Sequence, residues 1–169
     1  MLFQVGEKVV YPNHGVGVIE NIGLRAFGRQ NEPYYLFRVL STGLTVLVPA
    51  SHVGDLGLRR VTRNGEIAKV LDFLANGQCL YLSDWKDRFR INAEKMTRGS
   101  LLEIAEVLKC LLLIQRSKPL SFREKKMLDK ARHMLVAEIS VSRGITESEA
   151  VALLQRALAK ASLSLPAPL

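Results

Sequence analysis

The spacing of the apolar residues changes once along this chain, near Val61, and does not change back. Before that point, short apolar runs alternate with turn formers. Lys8-Val9-Val10-Tyr11 leads into Pro12-Asn13-His14-Gly15, and Val16-Gly17-Val18-Ile19 leads out, the pattern of a β-hairpin. Leu24 to Glu32 reads as a polar loop, and Tyr34–Leu40 and Leu44–Pro49 read as a second hairpin across Ser41-Thr42-Gly43. Gly15 and Gly17 permit positive φ or a sharp bend. Several short strands with glycine bends predict a small Tudor- or SH3-like β-barrel over residues 1–55, a fold that binds other chains more often than it does chemistry.

Residues 51–61, with Gly54 and Gly57, read as a connector, and beyond them the period is helical. Ile67, Val70, Leu71 and Leu74 mark a helix stopped by Asn76-Gly77. Ser83 or Asp84 can cap a second helix that ends at Gly99. Ser100-Leu101-Leu102-Glu103, Ser121-Phe122-Arg123-Glu124 and Thr146-Glu147-Ser148-Glu149 are capping boxes, each opening a further helix. The first of these is apolar nearly all round and is predicted to be central. The next buries Met127, Leu128, Ala131, Met134, Leu135 and Ile139 and stops at Gly144. The tail from Ser162 to Leu169 holds two prolines and is predicted to fray. The class is therefore α+β, with the barrel followed by an all-α domain of about five helices over residues 62–162.

The net charge of +8 divides at the same place. Residues 1–55 hold four cations and four carboxylates, and the rest of the chain holds twenty cations and twelve carboxylates. Only the helical part therefore carries the electrostatic signature of a polyanion partner. Within it, seven cations (Arg116, Lys118, Arg123, Lys125, Lys126, Lys130 and Arg132) face only Glu124 and Asp129 between residues 116 and 132.

A second basic group surrounds Trp85, the one tryptophan. Trp85, Phe89, Ala93 and Met96 fall on one helical face, Arg88, Asn92 and Lys95 on its neighbour, and Lys86 and Arg90 flank the indole. Residue type alone favours a core anchor with solvated cations around it. The charge distribution favours a wedge ringed by cations, which suits phosphates and base steps. No helix-turn-helix or zinc-finger pattern is present, so readout through backbone and shape is expected.

No enzyme site assembles. His14, His52 and His133 lie in different elements, Cys79 and Cys110 have no CxxC partner, and the glycines form no GxGxxG pattern. Neither a metal nor a cofactor is expected. The longest apolar run, Leu101 to Ile114, is interrupted by Glu103, Glu106 and Lys109 and is too short to span a bilayer. No secretory leader is evident either, so the cytoplasm is the expected compartment; a monomer is the expected state.

Several of these stretches resemble the CarD/CdnL family of bacterial transcription regulators. They are Phe3-Gln4-Val5-Gly6-Glu7-Lys8-Val9-Val10-Tyr11-Pro12-Asn13-His14-Gly15 and Leu44-Thr45-Val46-Leu47-Val48-Pro49. In the helical half they are Trp85 with Arg88, Phe89, Arg90, Asn92, Glu94 and Lys95, then Leu120-Ser121, Glu124 to Leu128 and Lys130-Ala131-Arg132. The resemblance implies that the barrel docks on the β subunit of bacterial RNA polymerase, with Arg25, Leu47 and Pro49 at the contact. It implies that the helical domain meets promoter DNA in the minor groove, without sequence preference, at the upstream edge of the melted bubble. Trp85 would wedge at the fork and stabilise the open complex, while Lys86, Arg88, Arg90, Lys125 and Lys126 meet phosphates. Such a protein is nucleoid-associated. Two positions depart from the family pattern. Leu47 stands where a basic residue is frequent, and Asp87 where some relatives are basic, so both contacts are expected to weaken locally. The residues leave two other readings open, a protein-interaction adaptor and an RNA-binding accessory protein.

Overall fold

Tyr35, Phe37 and Val39 are 2 % exposed or less, whereas Tyr34, Leu36 and Arg38 between them are only half-buried. That alternation marks a strand with one face on a core. The structure is a computed structural model that describes residues 2–79 and 84–169. It divides into two compact units, Met1–Val61 and Thr62–Leu169.

The first unit is an antiparallel sheet of β1 (Lys8–Tyr11), β2 (Gly15–Phe27), β3 (Gln30–Val39), β4 (Thr45–Pro49) and β5 (Arg59–Arg60), in the order β4-β3-β2-β1-β5. No pairing joins β4 to β5 among the described residues. Phe3, Val9, Ile19, Tyr35, Phe37, Val39, Val48, Val53 and Leu58 fill its core. The expected loop between Leu24 and Glu32 is instead the far end of a long hairpin, paired down to Phe27 and Gln30. Leu24, Arg25, Ala26 and Asn31 are exposed there. With neither face buried, the sequence had no apolar alternation to show. The expected connector also belongs to the sheet. Ala50–His52 forms a 3₁₀ turn, α1 (Val53–Leu56) follows, and β5 pairs with β1.

Gly17 is required for space rather than for bending. A Cβ built on it would lie 2.2 Å from the Phe37 ring and 2.5 Å from the Arg38 carbonyl. Phe37 is fully buried and the backbone cannot retreat. Gly17→Ala is therefore expected to destabilise the sheet by about 1–3 kcal/mol through overpacking. Urea unfolding followed by circular dichroism checks this, and Gly28→Ala at the exposed hairpin turn, φ +68, is the comparison.

The second unit holds α2 (Asn64–Asn76), α3 (Trp85–Arg98), α4 (Leu101–Ser117), α5 (Phe122–Arg143) and α6 (Glu147–Ala159). Ten residues of α4 are buried, and α4 packs against α2, α3 and α5, while α6 packs against α2 and α5. All three predicted N-caps form. Ser100, Ser121 and Thr146 accept from the backbone N–H of Glu103, Glu124 and Glu149 at 3.2, 3.2 and 3.1 Å. Gly99 and Gly144 end their helices in the left-handed conformation.

Buried polar groups in this unit close chain ends. Lys109 on α4 donates to the carbonyls of Phe73 and Gly77 at 2.9 and 2.6 Å, a cation at the negative end of α2. Glu138 on α5 accepts from the backbone N–H and hydroxyl of Thr62. The tail expected to fray is docked. Arg116 donates to the carbonyls of Ala161 and Ser162, Arg132 donates to that of Pro166, and Leu163 is buried. Two cations of the basic run thus satisfy tail carbonyls.

Candidate nucleic-acid interface

Asp84 caps α3 by accepting from the Lys86 backbone N–H at 2.9 Å; the alternative cap, Ser83, lies outside the described residues. The buried residues of α3 are Arg88, Asn92 and Met96, so of the stripe through Trp85, Phe89, Ala93 and Met96 only Met96 is buried. Trp85 is 46 % exposed, and Phe89 and Ala93 are half-buried. The helix is turned this way by an ion pair. Arg88 Nε and Nη2 donate to Glu124 Oε2 and Oε1 at 2.9 and 3.1 Å. The two side chains are only 4 % and 3 % exposed, which makes this a desolvated bidentate pair.

This corrects one expected site residue. Arg88 has its guanidinium inside the fold on Glu124, so it does not present a charge to phosphate. Its effect is positional, because Arg88 is in the first turns of α3 and Glu124 in the first turn of α5. The pair therefore brings two helix starts together. Each start opens with an aromatic residue, Trp85 after Asp84 and Phe122 after Ser121, and Phe122 is 69 % exposed.

Lys86, Arg90, Lys125 and Lys126 are exposed around these starts. Arg90 lies 3.8 Å from Asp87 and 3.4 Å from Glu94, surface pairs of little energy that a phosphate can displace. The Arg123 guanidinium lies over the Phe89 ring at 4.2 Å, and the Lys126 ammonium is 4.7 Å from the centroid of Phe122. Arg123 belongs to the basic run read from the sequence, but Phe122 was missed as a candidate surface residue. The available signal was that the apolar stripe of α5 begins only at Met127 and leaves Phe122 among cations.

A second surface lies on the sheet. Arg25 is opposite Glu32, Pro49 opposite Tyr34, and Leu47 opposite Leu36. Cross-strand partners share a face, and residues 32, 34 and 36 alternate with the buried Tyr35 and Phe37. The three expected contact residues therefore share the outer face, with Tyr34 and Leu36 between them. Gly23 is opposite Tyr34, and a Cβ there would come within 2.8 Å of the phenol oxygen, so the bare glycine lets that ring lie against the sheet. Tyr34 and Leu36 escaped notice because sequence alone does not separate the two faces of a strand whose outer positions are also apolar.

Little supports bond-making chemistry. Burial pushes the Cys79 thiol up to about 11, with Lys109 acting the other way. Burial raises the Cys110 thiol too. Both stay protonated at neutral pH and are poor nucleophiles. Among the described residues no cluster of three His, Cys, Asp or Glu could hold a metal ion, and no helix is long and apolar enough to cross a membrane.

Residues 3–62 match the family model described as CarD-like/TRCF RID domain, and residues 69–155 match that of the CarD C-terminal domain. The candidate transcription factor YdeB of Bacillus subtilis (strain 168) is 36 % identical over 148 residues, 88 % of this chain and 97 % of YdeB. The chain belongs to the CarD family. CarD-family proteins are transcription regulators that interact with RNA polymerase, and they are not a known enzyme class. The solution NMR structure of the 72-residue N-terminal domain of Myxococcus xanthus CarD is 33 % identical and covers 34 % of this chain and 77 % of that domain, with a TM-score of 0.31. In this CarD-family chain the outer sheet face lies within the first matched region, and the paired helix starts lie within the second.

Proposed function

We propose that this chain binds the β subunit of RNA polymerase through the outer face of its sheet, around Arg25, Leu47 and Pro49, and stabilises the promoter open complex with its helical unit. Trp85 acts as a wedge in the minor groove at the upstream fork of the bubble. Lys86, Arg90, Lys125 and Lys126 neutralise flanking phosphates, and Arg88 orients α3 from within. The protein works as a monomer beside the nucleoid, without a cofactor. The observation that carries this reading is the exposure of Trp85. A large aromatic ring outside the core, at a helix start ringed by lysine and arginine, suits a base step better than a protein interior.

Reversing charge on the sheet tests the polymerase arm. Arg25→Glu in the full chain is expected to lower affinity for the isolated β lobe by about tenfold. Isothermal titration measures it, and unchanged affinity removes Arg25 from the contact.

The DNA arm is read from salt dependence. Each phosphate contact contributes a slope of about −0.9 in log K against log salt. Lys125→Ala is expected to weaken binding equally across duplex sequences and to reduce that slope by about one unit. Anisotropy titrations over a salt series check this, and a strong preference for one duplex that survives high salt would point to base readout instead.

A further inference from the structure

Two aromatic rings stand in solvent at the paired helix starts, and only Trp85 has a part in the function proposed above. Phe122 is 69 % exposed and is outside the apolar core of its unit. A lone exposed Phe is ordinary; its surroundings set this one apart. Lys126, one turn along α5, holds its ammonium 4.7 Å from the ring centroid, so one face carries a cation and the other is open. Arg123 and Lys125 are exposed nearby, and the Arg88–Glu124 pair ties this turn to the one that carries Trp85. Phe89 differs, being already covered by Arg123 at 4.2 Å.

The charge around the ring limits what can cover it. A protein partner burying Phe122 would desolvate Arg123, Lys125 and Lys126, which is costly unless each met an acid. A polyanion neutralises them and releases counterions. A paired base is held in the stack by its neighbours and its partner, whereas an unpaired base exposes a π face at the least unstacking cost. A ring with a cation behind it and an open face matches the second. The base can stack on the open side while Lys126 stays within reach of a phosphate.

We infer that Phe122, with Lys126, forms a second stacking site for an unpaired base of single-stranded DNA beside the duplex that Trp85 meets. This rests on the proposed DNA role of the helical unit and gives it a site for the melted strand.

The test uses the full chain and two fluorescent probes, a forked duplex with a single-stranded arm and a blunt duplex of the same sequence. Phe122→Ala is expected to keep the wild-type melting temperature and lose about five- to tenfold in affinity for the fork. Its affinity for the blunt duplex should be unchanged, and Phe122→Trp should retain fork binding. A 2-aminopurine in the arm should be quenched by the wild type and by Phe122→Trp but not by Phe122→Ala. If Phe122→Ala binds the fork normally while Trp85→Ala binds it weakly, the second site is wrong and the wedge stands. Equal losses on fork and blunt duplex also overturn the site, since Phe122 would then serve the duplex. If the wild type shows no preference for the fork and neither variant alters binding, the DNA reading falls together with the site.

Discussion

Glu124→Ala is expected to lower the melting temperature of the helical unit by about 12–20 °C, the largest effect of any single substitution considered for this chain. The cause is what remains behind. Removing one member of a buried ion pair leaves the other charge desolvated, at a cost of about 3–5 kcal/mol, and a unit of this size loses roughly 4 °C per kcal/mol. Glu124→Ala should be worse than Arg88→Ala. A guanidinium cannot shed its charge, whereas a stranded carboxyl can take up a proton. Removing both charges should cost far less, so Arg88→Met with Glu124→Leu should fold close to wild type. Thermal melts by circular dichroism decide these rankings. The double variant also tests the position given to Arg88. Because Arg88 meets Glu124 and not phosphate, the double variant should keep the wild-type salt slope for duplex DNA. A slope smaller by about one unit would return Arg88 to the phosphate contacts.

The same pair shows where sequence reasoning stops. Helix boundaries were legible because each cap is local, as at Ser100 with Glu103, Ser121 with Glu124 and Thr146 with Glu149. The change of period near Val61 gave the α+β class for the same reason. Which face of α3 turns inward was not legible. It depends on a partner 36 residues away, and a charged residue pairing in the interior inverts the usual rule that apolar positions mark the buried stripe. The docked tail follows the same logic, since Arg116 and Arg132 read as free cations until their carbonyl partners on residues 161–166 are in place. The hairpin end around Arg25 was missed because a strand exposed on both faces has no periodicity to display.

Trp85 carries the central claim, and its two readings predict opposite results for Trp85→Ala. A fully buried tryptophan would cost about 3–5 kcal/mol on truncation. With the ring 46 % exposed, the loss should stay below about 2 kcal/mol, less than about 8 °C in melting temperature. Wedging or stacking at the fork is worth about 1–3 kcal/mol, so open promoter complexes with polymerase should dissociate roughly five- to a hundredfold faster. The most direct measurement is the dissociation rate of open promoter complexes formed with Trp85→Ala, read beside its thermal melt. A near-wild-type melt with fast dissociation is the expected result; a large drop in melting temperature with unchanged dissociation would make Trp85 structural and contradict the wedge.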